Sequence, residues 1–136
     1  NTADAMWGYP GVYKGQNWLW AGKWAARVDD VLSWLPARLT ALLLAAISGG
    51  VNLKRLRGEA HRTPSPNSGW PMAAMALSLG VCLQKPRVYA LNSKGCAPES
   101  EHTHQALFLA SKVVLALVFA SGATLIFIAI GYFLWS

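Results

Sequence analysis

A long stretch without charged side chains near the end of the chain constrains its fold more than any other feature. Residues 113–135 are 23 consecutive uncharged, mostly apolar residues, and about 20 are enough for a helix to cross the ~30 Å hydrocarbon core of a bilayer. Lys112 precedes the stretch, and Tyr132, Phe133 and Trp135 lie at its other end, where aromatic rings favour the membrane–water interface. The stretch therefore predicts a transmembrane helix.

The composition supports a membrane protein and excludes several other classes. The 136 residues are 54% hydrophobic and 13% charged, which is too apolar for intrinsic disorder. Cys82 and Cys96 are the only cysteines, too few for a disulfide scaffold. The net charge is +6, but no nucleic-acid recognition motif is present, so nucleic acid is not an expected partner. Seven Lys or Arg lie within residues 51–111, which predicts a cytoplasmic loop region by the positive-inside rule.

A second apolar run, residues 31–51, contains a proline and ends in two glycines. Pro36 is suited to the first turn of a helix, and Gly49 and Gly50 predict its end. A helix from 36 to 48 has 13 residues and is roughly 20 Å long, too short to span. A helix from Val28 has 21 residues and could span with a kink at Pro36. Both possibilities stay open, with a slight preference for the re-entrant one.

Together these segments predict an all-α integral membrane protein with four regions. Residues 1–30 form an aromatic-rich polar or interfacial segment, and 31–51 a kinked or re-entrant membrane helix. Residues 52–112 form a basic cytoplasmic loop region with a short helix in the apolar run 70–83, where Gly80 favours an end of the helix. Residues 113–135 form the transmembrane helix. Because the chain begins at Asn1 without a signal-peptide pattern, we expect Asn1 to be an internal position of a longer protein.

Polar residues concentrate in three patches, 1–9, 27–40 and 65–71. In the second and third, Pro36 and Pro71 predict helix starts, and a helix N-terminus with free N–H groups favours phosphate. Arg38 could add a bidentate hydrogen-bond donor. Asp29 and Asp30 could hold Mg²⁺, although capping the N-terminus of a helix is also a frequent role for Asp. His102 and His104 beside Glu101 would share a strand face and could bind zinc, but a solvated linker is favoured there.

The residues of these patches resemble one known family. Asn1-Thr2-x-Asp4-x-Met6-x-Gly8-Tyr9, Ala25-Ala26-Arg27-x-Asp29-Asp30-Val31 and Pro36-Ala37-Arg38-Leu39-Thr40-Ala41 occur in this order. Ser65-Pro66-Asn67-x-Gly69-Trp70-Pro71-x-Ala73-Ala74-Met75-Ala76 follows, then Leu79-Gly80-Val81 and Lys85-Pro86. The pattern resembles the CobD/CbiB family of cobalamin biosynthesis over residues 1 to about 90. Pro10 and Ser33 depart from it.

The resemblance implies a multi-pass protein of the bacterial inner membrane, of which this chain is the C-terminal part. It implies an ATP-dependent amide ligase, adenosylcobinamide-phosphate synthase, which joins aminopropanol or its phosphate to a side-chain carboxylate of adenosylcobyric acid, a corrinoid. The expected cofactors are ATP and Mg²⁺, and the expected partners are the lipid bilayer, the N-terminal remainder and other enzymes of the pathway. Two alternatives remain: a non-catalytic assembly subunit of a cobalamin-pathway complex, and a transport component.

The ligase reaction implied by the resemblance suggests a role for each candidate site residue. Asp29 and Asp30 are the candidates for metal ligand or base, Arg38 for phosphate binding and Asp4 for a further catalytic carboxylate. Trp7 and Trp70 could wall a corrin face. The remaining substrate- and phosphate-binding candidates are Asn1, Thr2, Arg27, Ser65, Asn67, Ser68, Gly69 and Lys85.

Overall fold

The computed structural model describes residues 19–135 and, before them, the pairs 12–13 and 16–17; side chains are described for residues 22–135. The two short strands β1 (Val12–Tyr13) and β2 (Gln16–Asn17) pair antiparallel. The later elements are α1 (Leu19–Ile47), α2 (Leu53–Ala60), α3 (Gly69–Leu79), β3 (Leu83–Lys85), β4 (Tyr89–Leu91) and α4 (Ser100–Trp135).

Helix α1 is 29 residues long and has Pro36 in its interior. The prediction that Pro36 starts a helix is therefore wrong. Proline removes one helical N–H and leaves the carbonyl of Leu32 without its usual donor, but the Ala- and Leu-rich sequence on both sides favours helix, and one missing hydrogen bond does not end it. The predicted end is confirmed, since Gly49 and Gly50 follow the helix with φ of +96° and +100°, values that glycine tolerates.

Helix α4 is 36 residues long and begins well before the charge-free stretch, at Ser100. The prediction that His102 and His104 lie on a strand is wrong, because both are helical. The Nδ1 atom of His102 accepts the backbone N–H of Glu99 at 3.0 Å, which satisfies a donor at the helix start. Among the residues that the structure describes, no three His, Cys, Asp or Glu side chains are grouped to hold a metal ion.

Two helices are long and apolar enough to cross a membrane, Gly22–Ile47 and Ser100–Trp135. The arithmetic behind the re-entrant alternative began at Pro36 and does not hold, because 26 residues are available for the first of them. The predicted boundary between 1–30 and 31–51 falls inside α1, which continues without a break from Leu19 to Ile47.

The core lies around α3, which packs against α1, α2 and α4. Small side chains permit this close packing: Ala41 and Ala45 of α1 meet Ala73, Ala74 and Ala76 of α3 in one buried cluster. The cluster also includes Leu44, Leu56, Ala60, Leu91 and Val113. Helix α3 ends at Gly80, as predicted, and Gly80 has a left-handed conformation (φ +68°).

A short antiparallel hairpin follows α3, with Leu83 paired to Leu91 and Lys85 to Tyr89. The alternation of Arg87-Val88-Tyr89-Ala90-Leu91 predicts a short strand from Arg87, but Arg87 lies in the turn with φ +63°. The strand starts at Tyr89 because the pair Pro86-Arg87 reverses the chain, a role to which proline is suited. Asn92, which follows β4, has φ +49° and is buried.

Candidate functional site

A cleft of about 450 Å³ lies between the middle of α1 and the loop 63–68 that leads into α3. Both elements contribute polar groups, and the second and third polar patches of the sequence meet here. The cleft is lined by Asp29, Asp30, Leu32, Ser33, Pro36, Ala37, Thr40, Ser65, Asn67, Ser68 and Pro71.

Asn67 joins the loop to α1 through its buried side chain. Its Nδ2 donates to the backbone carbonyl of Asp30 at 2.7 Å, and its Oδ1 accepts from Nη1 of Arg38 at 2.8 Å. The side chain is 5% exposed, so both polar ends would be costly to leave without partners. The two bonds therefore fix the loop against α1 beside the cleft that Asn67 lines.

The guanidinium of Arg38 is held between two indole rings. Its carbon lies 4.4 Å from the ring centre of Trp34 and 5.1 Å from that of Trp70, within the range of cation–π attraction. Nη1 also donates to the Trp34 carbonyl at 2.9 Å, and Nη2 to the Pro66 carbonyl at 3.4 Å. Arg38 thus positions the loop, and both Nη1 protons are already directed at protein acceptors.

The loop itself is tied by hydroxyl groups. Ser65 Oγ accepts the backbone N–H groups of Asn67 at 3.4 Å and Ser68 at 3.2 Å. Thr63 Oγ1 is within hydrogen-bond distance of the carbonyls of Ala60, at 3.3 Å, and Ser65, at 3.0 Å. These contacts hold the polypeptide between α2 and α3 in a defined turn.

The start of α3 offers fewer N–H groups than the sequence suggested. The N–H of Trp70 donates to the Asn67 carbonyl at 3.2 Å and that of Met72 to Ser68 at 3.5 Å, while Pro71 has no N–H. Gly69 is buried against α2, where an added Cβ would collide with the carbonyl oxygen of Ala60. Phosphate binding by this helix terminus stays a prediction.

Asp29 and Asp30 line the cleft from within α1, not from a helix N-terminus as predicted. The terminus at Pro36 does not exist, so α1 itself contributes no helix-terminal N–H groups beside the two carboxylates. Asp29 is half-buried and Asp30 exposed. Mg²⁺ is commonly bound by one or two carboxylates together with phosphate oxygens and water, and this donor set fits the two residues.

The other predicted residues lie elsewhere. Asn1, Thr2, Asp4 and Trp7 are outside the described residues. Arg27 is an exposed residue of α1 and Lys85 an exposed residue of β3; the described lining of the cleft includes neither. The ring of Trp70 packs against Arg38 and meets His61 edge-on at 6.0 Å.

Sequence reasoning missed two contributors to the site. Trp34 lies four residues before Arg38 on the same helix, a spacing that brings side chains together and that could have indicated the contact. Pro66 contributes its carbonyl, and no sequence signal marks that role.

The chain matches the model of the CobD/Cbib protein family over residues 1–113. It is 39% identical over 129 residues to a probable cobalamin biosynthesis protein CobD of Methanothrix thermoacetophila. The aligned region covers 93% of this chain and 40% of the relative. A protein of the same name in Methanothermobacter thermautotrophicus is 37% identical over 134 residues, 94% of this chain and 44% of the relative.

A cobalamin biosynthesis protein CobD of Dehalococcoides mccartyi is 45% identical over 97 residues, 67% of this chain and 30% of the relative. The chain thus spans less than half the length of these curated relatives. No solved structure matches it. The matching residues include the cleft and both elements that build it, and the chain belongs to the CobD/CbiB family.

Proposed function

We propose that the whole protein acts in cobalamin biosynthesis as an ATP-dependent amide ligase and that the cleft forms part of its active site. The substrates would be adenosylcobyric acid, through a side-chain carboxylate, and aminopropanol or its phosphate. The observation that carries the proposal is the bonding of Asn67 to both Arg38 and the Asp30 backbone, which assembles two family motifs, far apart in sequence, around one acidic cleft.

Amide formation needs an activated carboxylate. In the proposed reaction a substrate carboxylate oxygen attacks the terminal phosphorus of ATP, which gives an acyl phosphate and ADP. The amine nitrogen then attacks the acyl carbon, inorganic phosphate leaves with the bonding electron pair, and a base accepts the proton from the new ammonium nitrogen. Asp29 and Asp30 are the carboxylates in the cleft that could accept that proton.

The same two carboxylates are the described residues that would hold Mg²⁺, which supplies charge neutralisation for phosphoryl transfer when it is bound. Arg38 contributes by positioning Asn67 and the loop. Ser65 and Asn67 line the same cleft from the loop. The hydroxyl groups of Ser33 and Thr40 offer further polar contacts for a substrate.

The test uses membranes that contain the full protein, supplied with adenosylcobyric acid, ATP, Mg²⁺ and either amine. The amide product is identified by its mass. We expect product only with ATP, and we expect Asp30→Asn to reduce the turnover rate by about 100-fold or more, as the loss of a proton acceptor does.

Glu101→Gln is the matched control, because it removes a carboxylate that is exposed at the start of α4. Its turnover should equal that of the unmodified protein. Full activity in both Asp29→Asn and Asp30→Asn would show that the cleft is not the ligase site. Product formation without ATP would contradict the reaction itself.

A further inference from the structure

A second cavity, separate from the cleft, lies between α2 and the turn after β4. It has a volume of about 260 Å³ and is lined by Arg55, Glu59, Arg62, Asn92, Ser93 and Lys94, which we call the basic pocket. Arg55, Glu59 and Arg62 are spaced by one and two helical turns, so they project from one side of α2 and its C-terminal extension. None of the six residues lines the cleft.

Asn92 connects the basic pocket to the core through hydrogen bonds of its side chain. Its side chain is buried, with Nδ2 donating to the carbonyls of Ala76 at 3.2 Å and Val81 at 3.0 Å. Its Oδ1 accepts from Nη2 of Arg55 at 2.7 Å. The turn is closed by the N–H of Gly95 on the Asn92 carbonyl at 2.7 Å. The guanidinium of Arg55 is therefore held in one place by a residue anchored in the core.

Positive charge exceeds negative charge in the basic pocket. Three cationic side chains face one carboxylate, Glu59. Its Oε2 accepts the Asn92 N–H at 2.8 Å and lies 3.5 Å from Nε of Arg62. Because Arg62 is half-exposed, this ion pair is weak. With three cationic side chains and one carboxylate in its lining, the pocket has a surplus of two positive charges.

We infer that the basic pocket binds a phosphate-bearing anion. A phosphate monoester or terminal phosphoryl group carries about two negative charges at neutral pH, which matches the surplus. Arginine donors suit phosphate oxygens through paired hydrogen bonds, and lysine adds a compact charge. The phosphoryl group could belong to a soluble compound such as a nucleotide or to the headgroup of an anionic lipid. The inference does not depend on the proposed ligase activity.

The experiment measures binding to the full protein in phosphatidylcholine nanodiscs. Inorganic pyrophosphate, followed by calorimetry, is the soluble probe. For the lipid source, nanodiscs with added phosphatidic acid are used, and the lipid retained by the released protein is measured by native mass spectrometry. We expect Arg62→Ala combined with Lys94→Ala to weaken the binding of one of these probes by about tenfold or more, because each removed cation loses a charge-assisted contact.

Lys54→Ala combined with Arg57→Ala is the matched control. It removes the same charge from α2 at exposed positions outside the pocket, and it should bind as the unmodified protein does. Loss of pyrophosphate binding in the pocket variant alone identifies a soluble phosphoryl compound, and loss of phosphatidic acid alone identifies a headgroup. Equal binding by the two double variants, or no binding of either probe to the unmodified protein, overturns the inference.

Folding is controlled separately. Arg62 and Lys94 are exposed. We therefore expect the Arg62→Ala, Lys94→Ala variant to have the same thermal unfolding midpoint as the control variant. Arg55→Lys is a second variant, which keeps the charge but not the paired donors. If the Arg62→Ala, Lys94→Ala variant unfolds at a lower temperature than the control, the Arg55→Lys variant decides. A weaker affinity of Arg55→Lys for the phosphate probe supports the inference, and an unchanged affinity contradicts it.

Discussion

Arg38 shows how one side chain can join two distant parts of the chain. It donates to Asn67, stacks between Trp34 and Trp70, and reaches the carbonyl of Pro66. Lysine has neither the planar shape nor the paired donors for these contacts. The structure therefore assigns the guanidinium a positioning role that an equal charge cannot fill.

We predict that Arg38→Lys destabilises the protein, because the buried Oδ1 of Asn67 loses its donor. The expected cost is about 1–3 kcal/mol, measured as the shift of the thermal unfolding transition of the full protein in detergent. Arg57→Lys makes the same exchange at an exposed position of α2 and should leave the transition unchanged. Equal transitions for the two variants would show that the network does not stabilise the fold.

At this scale the sequence predicted which residues are chemically important more readily than what they contact. Arg38 and Asn67 were both expected near phosphate, on the strength of charge and turn composition. Their hydrogen bond links positions 29 residues apart, and no local pattern encodes such a pairing. The contact of Arg38 with Trp34, four residues away, was accessible from helical spacing.

Among the elements, α2 and α3 approach each other closely at their junction. Gly69 opens α3 directly beneath the end of α2, where a Cβ would meet the Ala60 carbonyl and lie 2.5 Å from Thr63 Oγ1. These two groups also stabilise the loop 63–68, since Thr63 Oγ1 lies within hydrogen-bond distance of the carbonyls of Ala60 and Ser65. A side chain at this position must displace the Ala60 carbonyl at the end of α2 and the Thr63 hydroxyl next to it.

We predict opposite effects for two glycine substitutions in neighbouring helices. Gly69→Ala should destabilise the protein by about 1–3 kcal/mol, the usual cost of overpacking, and should also reduce ligase activity. Gly58→Ala, in α2 with nothing near its Cβ, should stabilise it by about 0.5–1 kcal/mol, because alanine is the better helix former. Denaturant titration of both variants checks the signs, and a stabilised Gly69→Ala would refute the close approach.

Element boundaries were predictable where glycine sets them and not where proline was the guide. Gly49, Gly50 and Gly80 end their helices as expected, because positive φ is a local property of those residues. Pro36 was misleading, because the proline lies inside a 29-residue helix, where it removes one hydrogen bond without ending the element. Helix α4 likewise continues back to Ser100 through polar residues that a hydropathy criterion excludes.

Over the whole molecule, most of the surface of α1 and α4 is apolar and exposed. Within the described part of α4, Val113 is the buried residue, while side chains such as Phe127 and Phe133 are about 80% exposed. Apolar surface of this extent needs a lipid or protein cover. The relatives are more than twice as long as the matched region, and lipid together with the rest of such a protein could cover it.

The position of the cleft relative to the membrane bears on the proposed activity. Ser33 lines the cleft 14 residues before the end of α1, which is about 20 Å along the helix axis. If α1 crosses the bilayer, the cleft lies at membrane depth, where polar groups normally face a water-filled cavity. The proposed reaction requires that cavity to open to the side that holds ATP, the side predicted for the basic loop region.

We therefore predict that Ser33→Cys and Ser93→Cys react with a membrane-impermeant maleimide from the cytoplasmic side alone, in the full protein with Cys82 and Cys96 replaced. Ile128→Cys, in the apolar part of α4, is the control and should stay unlabelled from either side because no water reaches it. A Ser33→Cys variant that is unreactive like the control, while Ser93→Cys is labelled, would place the cleft in hydrocarbon. ATP could not reach carboxylates there, and the ligase site would have to lie elsewhere in the protein.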